Sequence, residues 1–342
     1  MTRDRRIRFI VPEGIDEPAR VSGGNVYDRH LRDGLRRAGW DVRMSDTTGA
    51  ADVEAALAAV EPGEIALIDG LVAGWAPDAV ESASRATRVV VIAHMVVAAF
   101  PGATVGAIDG ERRSLRDAAQ VIATSTWAAA ELVRRGLVNP DRIAVVEPGS
   151  RDTLGDAESE LAPDLDGDLL CVGVVAPHKG QDLLLDALDG LREHDWTCTV
   201  AGSQSAAPEF AARIASAAAG FAGRVRMTGV LDETAVDAAY RRAAVLVAPS
   251  RSESFGIALA DARRCGLPII ATRVGGIPDT VSGGGAILVP HDDPGALADA
   301  LRSWMTDPGL RARLRAEAAR LRPRAPRWRD TVARVDEILV SG

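Results

Sequence analysis

The run VLVAPSRSESFGIALAD, Val245 to Asp261, passes from an apolar strand through a polar loop into a helix, and the rest of the chain reads outward from it. Val245–Pro249 is short and β-branched, the pattern of a strand buried on both faces of a parallel sheet. A helix opens around Gly256, so the amides of Phe255, Gly256 and Ile257 stand at a helix start without intrahelical partners. Free amides plus the helix dipole stabilise an anion, the dipole part by about 0.3–1 kcal/mol. Glu253 stands just before that helix and Asp261 just over a turn into it. Two carboxylates aimed at a phosphate would repel it, so their targets are hydroxyl groups on either side. A phosphate flanked by two polyols describes a nucleotide sugar.

The same alternation extends in both directions. Around the run, strands are predicted at Leu169–Val175, Trp196–Ala201, Val225–Thr228, Pro268–Thr272 and Ile287–Pro290, with helices at Gln181–Leu191, Pro208–Ala219, Thr234–Arg242 and Pro294–Thr306. The first half repeats the pattern. Strands are predicted at Arg8–Pro12, Asp41–Met44, Ile65–Asp69, Arg88–His94, Gln120–Ala123 and Ile143–Val146, with helices at Asn25–Ala38, Ala51–Val60 and Thr126–Arg135. A Pro/Gly loop follows His94, and the acceptor-side loop Ala98–Arg116 carries no chemical signature. Strands separated by helices of this length make a parallel sheet covered on both faces. The expected fold is therefore α/β, two Rossmann-like lobes facing across a cleft, with ligands at the carboxyl ends of the strands. The expected limits are residues 1–150 for a first domain, an acidic Gly/Asp-rich linker at 151–168, a nucleotide-sugar-binding domain at 169–325, and a C-terminal helix at 326–342.

The 342 residues are 47% hydrophobic and 26% charged with a mean hydropathy of +0.02, values of a globular chain and not of a disordered or fibrous one. The net charge of −8 argues against general nucleic-acid binding, which needs clustered cations. Of 40 basic residues, 39 are arginine, and the single lysine is Lys179. It sits in LLCVGVVAPHKG, Leu169–Gly180, in the loop past a buried strand and ahead of a helix. A flexible ammonium there can reach a diphosphate, where the compact charge of lysine differs from the planar fork of arginine.

Other segments restrict the reading. The apolar stretch near the start is too short for a signal-peptide core, and the longest apolar run, Val89–Phe100, falls well short of a membrane span. Cys171, Cys198 and Cys265 are odd in number and widely spaced, so buried thiols in a reducing cytoplasm are expected, with no disulfide framework and no metal site. Leu301–Val335 carries ten arginines against three acids, a solvated helical surface or a patch for anionic lipid headgroups. Ser22-Gly23-Gly24 follows the first strand and leads into a helix, where glycines admit a ligand close to the backbone. The spacing is not GxGxxG directly after the strand, so a nicotinamide or flavin site is not indicated. There is no hydrolase-like carboxylate pair and no metal-ligand cluster.

Glu253-Ser254-Phe255-Gly256-Ile257, with an acid eight residues after the glutamate, resembles the signature of retaining family 4 glycosyltransferases (glycosyl transferases group 1) of the GT-B fold. Ser22-Gly23-Gly24 resembles that family's glycine loop, His94 its active-site histidine, Ala123-Thr124-Ser125 its serine-bearing strand end, and Val146-Glu147-Pro148-Gly149 its last N-domain strand. Lys179-Gly180, Ala201-Gly202 and Thr272–Asp279 (TRVGGIPD) continue the order. The resemblance implies that the first domain is the acceptor side, that the last helix packs back on it, and that Gly23, Gly24 and Lys179 serve the donor diphosphate. It further implies that Glu253, Ser254, Phe255 and Gly256 hold the donor sugar, Ile257 and Ala258 amides its phosphate oxygens, and Asp261 the ribose. His94, Lys179 and Glu253 are the expected catalytic residues. The donor would be a UDP- or GDP-sugar, with no metal and no other cofactor, and the acceptor a hydroxyl of a natural product, glycolipid or small molecule.

Two positions depart from the pattern: the second acid is Asp261 where glutamate is usual, and Val174 stands where an arginine usually precedes the lysine by five residues. Arg251 or Arg273 could replace the missing cation. These departures keep open a silent nucleotide-sugar-binding partner subunit, and another GT-B activity such as an epimerase or phosphorylase. His30, His178, His194 and His291 read as solvated or structural.

Overall fold

The computed structural model describes residues 5–100, 102–154 and 167–341. Most of the acidic linker at 151–168 lies outside the described residues. The chain divides into two compact units: an N-terminal unit of residues up to Glu17, Gly23–Pro148 and from Trp328 on, and a C-terminal unit of Pro18–Ser22 and Gly149–Arg327.

In chain order the N-terminal unit runs β1 (Arg6–Pro12), α1 (Gly23–Arg37), β2 (Asp41–Thr47), α2 (Ala50–Ala58), β3 (Ile65–Asp69), α3 (Gly70–Ala73), α4 (Pro77–Ser84), β4 (Val89–Ala93), α5 (Val105–Asp117), β5 (Gln120–Ala123), α6 (Thr126–Arg134) and β6 (Ile143–Val145). Its sheet has the order β2-β1-β3-β4-β5-β6, with every pairing parallel. All five residues of β4 are buried, as expected for a central strand with both faces covered. Ile10, Ile68, Val91 and Val121 from this sheet join Val53, Val72, Val80 and Leu132 from the helices in one core.

The C-terminal unit runs β7 (Asp168–Val172), α7 (Gln181–Asp189), β8 (Thr197–Ala201), α8 (Pro208–Ala219), β9 (Val225–Gly229), α9 (Glu233–Arg242), β10 (Val245–Ala248), α10 (Ile257–Cys265), β11 (Ile269–Thr272), α11 (Ile277–Thr280), β12 (Ala286–Val289), α12 (Pro294–Thr306) and α13 (Pro308–Leu321). Its parallel sheet has the order β12-β11-β10-β7-β8-β9. Strand order reverses between β7 and β10, so their following loops diverge and open a crevice at the strand ends. One face buries Trp196, Trp304 and Leu184, the other Tyr240, Leu246 and Leu259.

The last helix, α14 (Trp328–Ser341), packs on α1. Val332 closes on Gly34, where an added Cβ would come within 2.3 Å of a valine methyl. The Trp40 indole donates to Asp336 at 2.6 Å, and the Arg88 guanidinium donates to the carbonyls of Leu339 and Ile338, satisfying the C-terminal end of the helix.

The reading of 98–116 as loop is corrected. Its latter part is helix α5, started by Thr104, whose hydroxyl accepts from the Ala107 amide. Gly106 and Gly110 made the segment read as loop. Gly110 is instead a contact glycine, since a Cβ there would stand 2.2 Å from the Gly74 carbonyl oxygen. Helices α3 and α4, between Asp69 and Arg88, are too short for a periodicity to show.

Candidate functional site

In the C-terminal unit three loops meet at the carboxyl ends of β7, β10 and β11. The loop after β7 carries His178, Lys179 and Gly180. Gly180 turns with φ +69° and lies against Pro249, where a Cβ would come 2.0 Å from the carbonyl oxygen, so glycine is required by both conformation and space. The His178 carbonyl accepts from the Arg251 amide at 2.8 Å and ties this loop to the one after β10. The loop after β11 closes from the other side. Gly275 has φ +53° and a Cβ there would stand 1.9 Å from the Glu253 carbonyl oxygen, while the Gly276 amide donates to that same oxygen at 2.9 Å. Thr272 and Thr280 hydroxyls donate to the carbonyls of Ser250 and Phe255.

This scaffold brings Lys179 and Glu253 together. The Lys179 ammonium donates to Glu253 Oε2 at 2.5 Å, both side chains being mostly buried. The stem of Lys179 crosses Gly173, and Cγ of Glu253 lies 3.4 Å from where a Gly256 Cβ would stand. Glu253 therefore borders the start of α10. Gly256 holds that start with φ +88°, and Leu259 and Ala260 amides take the Gly256 carbonyl. Ile257 and Ala258 amides have no partner among the described residues, which leaves two aligned donors beside an ammonium and a carboxylate.

Asp261, also on α10, is turned elsewhere. It is 6% exposed, and its Oδ1 accepts from the Arg151 amide at 2.9 Å. Burial pushes its carboxyl up to about 7 against the pull of the Arg151 amide and guanidinium, with Asp237 adding to the rise. Arg151 itself bonds Asp237 at 2.6 Å. Of the two arginines considered as replacements at Val174, Arg251 is held in a bidentate pair with Asp182 at 2.8 and 2.9 Å and also bonds Asp292. Arg273 is exposed just past β11; its amide donates to the Val289 carbonyl at 2.7 Å, and its side chain makes no hydrogen bond or ion pair among the described residues. His178 is pushed down to about 4 by burial and the neighbouring Lys179 charge, so it is neutral at physiological pH.

The N-terminal unit holds a second constellation. His94 follows β4 and lies beside the start of α1, its Cδ2 3.4 Å from where a Gly24 Cβ would be. Its Nε2 is 2.9 Å from Asp28 Oδ1 and 3.5 Å from Asp69 Oδ2. Asp28 and Asp69 escaped the sequence reading, yet one signal was there. Asp28 lies three residues before Leu31 and seven before Leu35, on the buried stripe of α1 where an acid has no structural reason to be. Asp69 ends β3 and caps α3 by accepting from the Leu71 amide at 2.6 Å. One ligand atom from each of Asp28, Asp69 and His94 lies within 4.8 Å of the others, spacing that a metal ion could also use. Cys171, Cys198 and Cys265 are free, buried thiols, with burial pushing Cys171 up to about 12.

With this geometry in hand, residues 156–321 match the family model described as glycosyl transferases group 1. That part of the chain belongs to the glycosyl transferases group 1 family. The chain is 34% identical over 231 residues to a D-inositol 3-phosphate glycosyltransferase of Frankia alni, a match covering 62% of this chain and 56% of that one. A Streptomyces scabiei protein of the same name is 36% identical over 235 residues, with 61% and 51% covered. The chain thus spans about half the length of the curated relatives it matches. Among solved structures, sucrose-phosphate synthase from Thermosynechococcus elongatus aligns with a TM-score of 0.80 at 21% identity over 98% of both chains. Anabaena HepE in complex with UDP-glucose aligns at 0.76 and 16% identity, over 98% of this chain and all of that one. These likenesses show the fold, GT-B, which this chain shares. No helix among its described residues is long and apolar enough to cross a membrane.

Proposed function

We propose that the chain is a retaining family 4 glycosyltransferase that moves a sugar from a nucleoside diphosphate sugar to an acceptor hydroxyl without a metal ion. The observation that carries this reading is the pair of free amides at Ile257 and Ala258 beside the Lys179–Glu253 ion pair. Amides and ammonium suit the two charges of a departing diphosphate, and the carboxylate suits sugar hydroxyls. Lys179 and the α10 amides stabilise the leaving nucleotide as its charge develops, the preorganised electrostatics that dominate such catalysis. Glu253 with the Ser254–Gly256 backbone orients the sugar. Asp261 reaches ribose only through Oδ2, because Oδ1 is engaged. His94, with Gly24 at its side, serves the transfer step from the N-terminal unit, and Gly23 with Gly24 serves the donor diphosphate. The three buried thiols fit a reducing compartment such as the cytoplasm.

The names of its relatives recommend D-inositol 3-phosphate as a first acceptor, and the HepE complexes recommend UDP-glucose as a first donor. Thermal-shift titration with UDP, GDP and ADP identifies the base, and release of that nucleotide from the matching donor sugar then measures turnover. Stabilisation by one nucleoside diphosphate with acceptor-dependent release supports the reading; absence of both overturns it. A second reading, a silent nucleotide-sugar-binding subunit, draws on Val174 and on the engagement of Arg251 by Asp182 and Asp292, which leaves Lys179 without that second cation. Binding without release under every acceptor would favour it.

A further inference from the structure

We propose that Asp28 and Asp69 are positioning residues that keep His94 as a doubly protonated imidazolium, so that the N-terminal unit presents a charged hydrogen-bond donor and not a general base. This deepens the assignment of His94 to the transfer step. It rests on that assignment for its catalytic consequence alone.

The ring is faced by carboxylates from two separate elements. From α1 comes Asp28, whose side chain is fully buried and whose Oδ1 is 2.9 Å from Nε2. From the end of β3 comes Asp69, with Oδ2 at 3.5 Å and a side chain 6% exposed. Two further neighbours among the described residues, Tyr27 and Thr124, carry no charge. Tyr27 of α1 meets the ring edge-on at 5.1 Å, and burial pushes its phenol above the ordinary value, so it stays neutral. From the end of β5, Thr124 donates its hydroxyl to the backbone carbonyl of His94. Asp28 Oδ2 is buried with no hydrogen-bond partner. A buried carboxylate oxygen without a donor is costly unless a cation stands beside it. The imidazolium is the only cation the described residues place on this pair at short range.

Nε2 lies at hydrogen-bond distance from Oδ1 and so carries a proton toward Asp28. What favours a second proton on the ring is that two buried carboxylates face it, one with an oxygen left without a donor. The electrostatics agree with the geometry. Burial alone would push His94 down, but the Asp28 charge and hydrogen bond, with the Asp69 charge, outweigh it and raise the ring to about 9. Asp69 is raised by its own burial and by Asp28, against the pull of His94 and the α3 amides. A histidine charged throughout neutral pH cannot accept a proton from an acceptor hydroxyl. It can donate a hydrogen bond to an oxygen gaining charge, and its rigid partners fix where that bond points.

The direct test is side-chain nitrogen NMR of the whole protein labelled at imidazole nitrogen, with the resonance assigned by its loss in His94→Gln. His178 is neutral across the range and serves as an internal contrast. The expected result is an imidazolium signal for His94 that persists to about pH 9 in the wild type, with a midpoint lowered by at least one unit in Asp28→Asn and less in Asp69→Asn. In kinetics, kcat/KM should lose its alkaline limb at correspondingly lower pH in Asp28→Asn. A wild-type midpoint at or below 6.5, or one that Asp28→Asn leaves unmoved, overturns the proposal. Stoichiometric Zn²⁺ uptake that abolishes the imidazolium signal also overturns it and makes the cluster a metal centre. Should Asp28→Asn fail to fold, the wild-type titration decides alone. Because the titration needs no donor or acceptor, its failure is separable from failure of the glycosyltransferase reading.

Discussion

Lys179 and Glu253 neutralise each other at 2.5 Å, so a bound donor must share or separate a pair that is already formed. Lys179→Ala removes the ammonium and leaves a mostly buried carboxylate without its cation. Breaking a fully buried pair costs about 3–5 kcal/mol, and partial exposure of this one reduces that to about 1–2. The loss in turnover should be larger, about 10²–10³-fold, as for deletion of one preorganised donor to a developing charge. Thermal melts and nucleotide release on the same variant check the two magnitudes, and Lys179→Arg should remain impaired because its fork cannot occupy a point-charge site. Asp261 makes a separate claim. Its carboxyl is raised to about 7 by burial, so the folded form holds its proton above the unfolded value of 3.8. Stability contributed by that proton is complete below 3.8 and is lost as pH rises to about 7. Asp261→Asn keeps an acceptor for the Arg151 amide and carries no charge, so it should match wild type near pH 4 and be more stable by about 1–3 kcal/mol at pH 9, at roughly 1.4 kcal/mol per pKa unit with allowance for relaxation. Urea denaturation at the two pH values checks this. Lys179, Glu253 and His94 were legible because each stands in a loop past the end of a strand, a place where side chains meet ligands. The pairing of Lys179 with Glu253, 74 residues apart, was not, since it depends on how two loops close in space.

At the scale of elements, the loop after β11 acts as a backing plate for the Glu253 loop. Gly275→Ala would put a Cβ 1.9 Å from the Glu253 carbonyl oxygen at a positive φ. The expected cost is about 2–3 kcal/mol from clash and backbone strain together, seen as a lower melting temperature and as weakened nucleoside diphosphate binding by calorimetry. Helix α14 carries a claim of its own. Trp328 stacks on His30 at 4.2 Å and meets Tyr27 edge-on, and Tyr27 in turn meets His94. Trp328→Ala should destabilise the protein by about 3–5 kcal/mol, the usual range for removing a buried tryptophan, with melting curves as the measure. The strands and longer helices were legible because period-2 and period-3.6 patterns survive in apolar stretches of useful length. Helix α5 was not, since Gly110 packs helix to helix against Gly74, a requirement of tertiary contact that in sequence looks like a turn. Several arginines of the last helices, expected on a solvated surface or in a patch for anionic headgroups, are engaged locally: Arg302 by Asp299, Arg311 by the Trp304 and Met305 carbonyls, Arg334 by Glu337.

For the whole molecule, two parallel six-stranded sheets, ordered β2-β1-β3-β4-β5-β6 and β12-β11-β10-β7-β8-β9, follow from a chain that alternates strand and helix twice over. The group 1 match begins at residue 156 and covers the unit that holds Lys179, Glu253 and the α10 amides, so the donor side of the account stands on that unit. Since the proposed catalysis uses an ammonium and backbone amides for the leaving charge, turnover in excess EDTA should stay within about twofold of the untreated rate. The central claim is tested most directly by mixing the purified protein with UDP-glucose and a panel of acceptors headed by D-inositol 3-phosphate, and following nucleotide release with wild type and Lys179→Ala side by side, the other nucleoside diphosphate sugars being tried in the same way. The expected result is acceptor-dependent release of one nucleoside diphosphate by the wild type and its near loss in Lys179→Ala. Release by neither protein from any donor, or equal release by both, would contradict it.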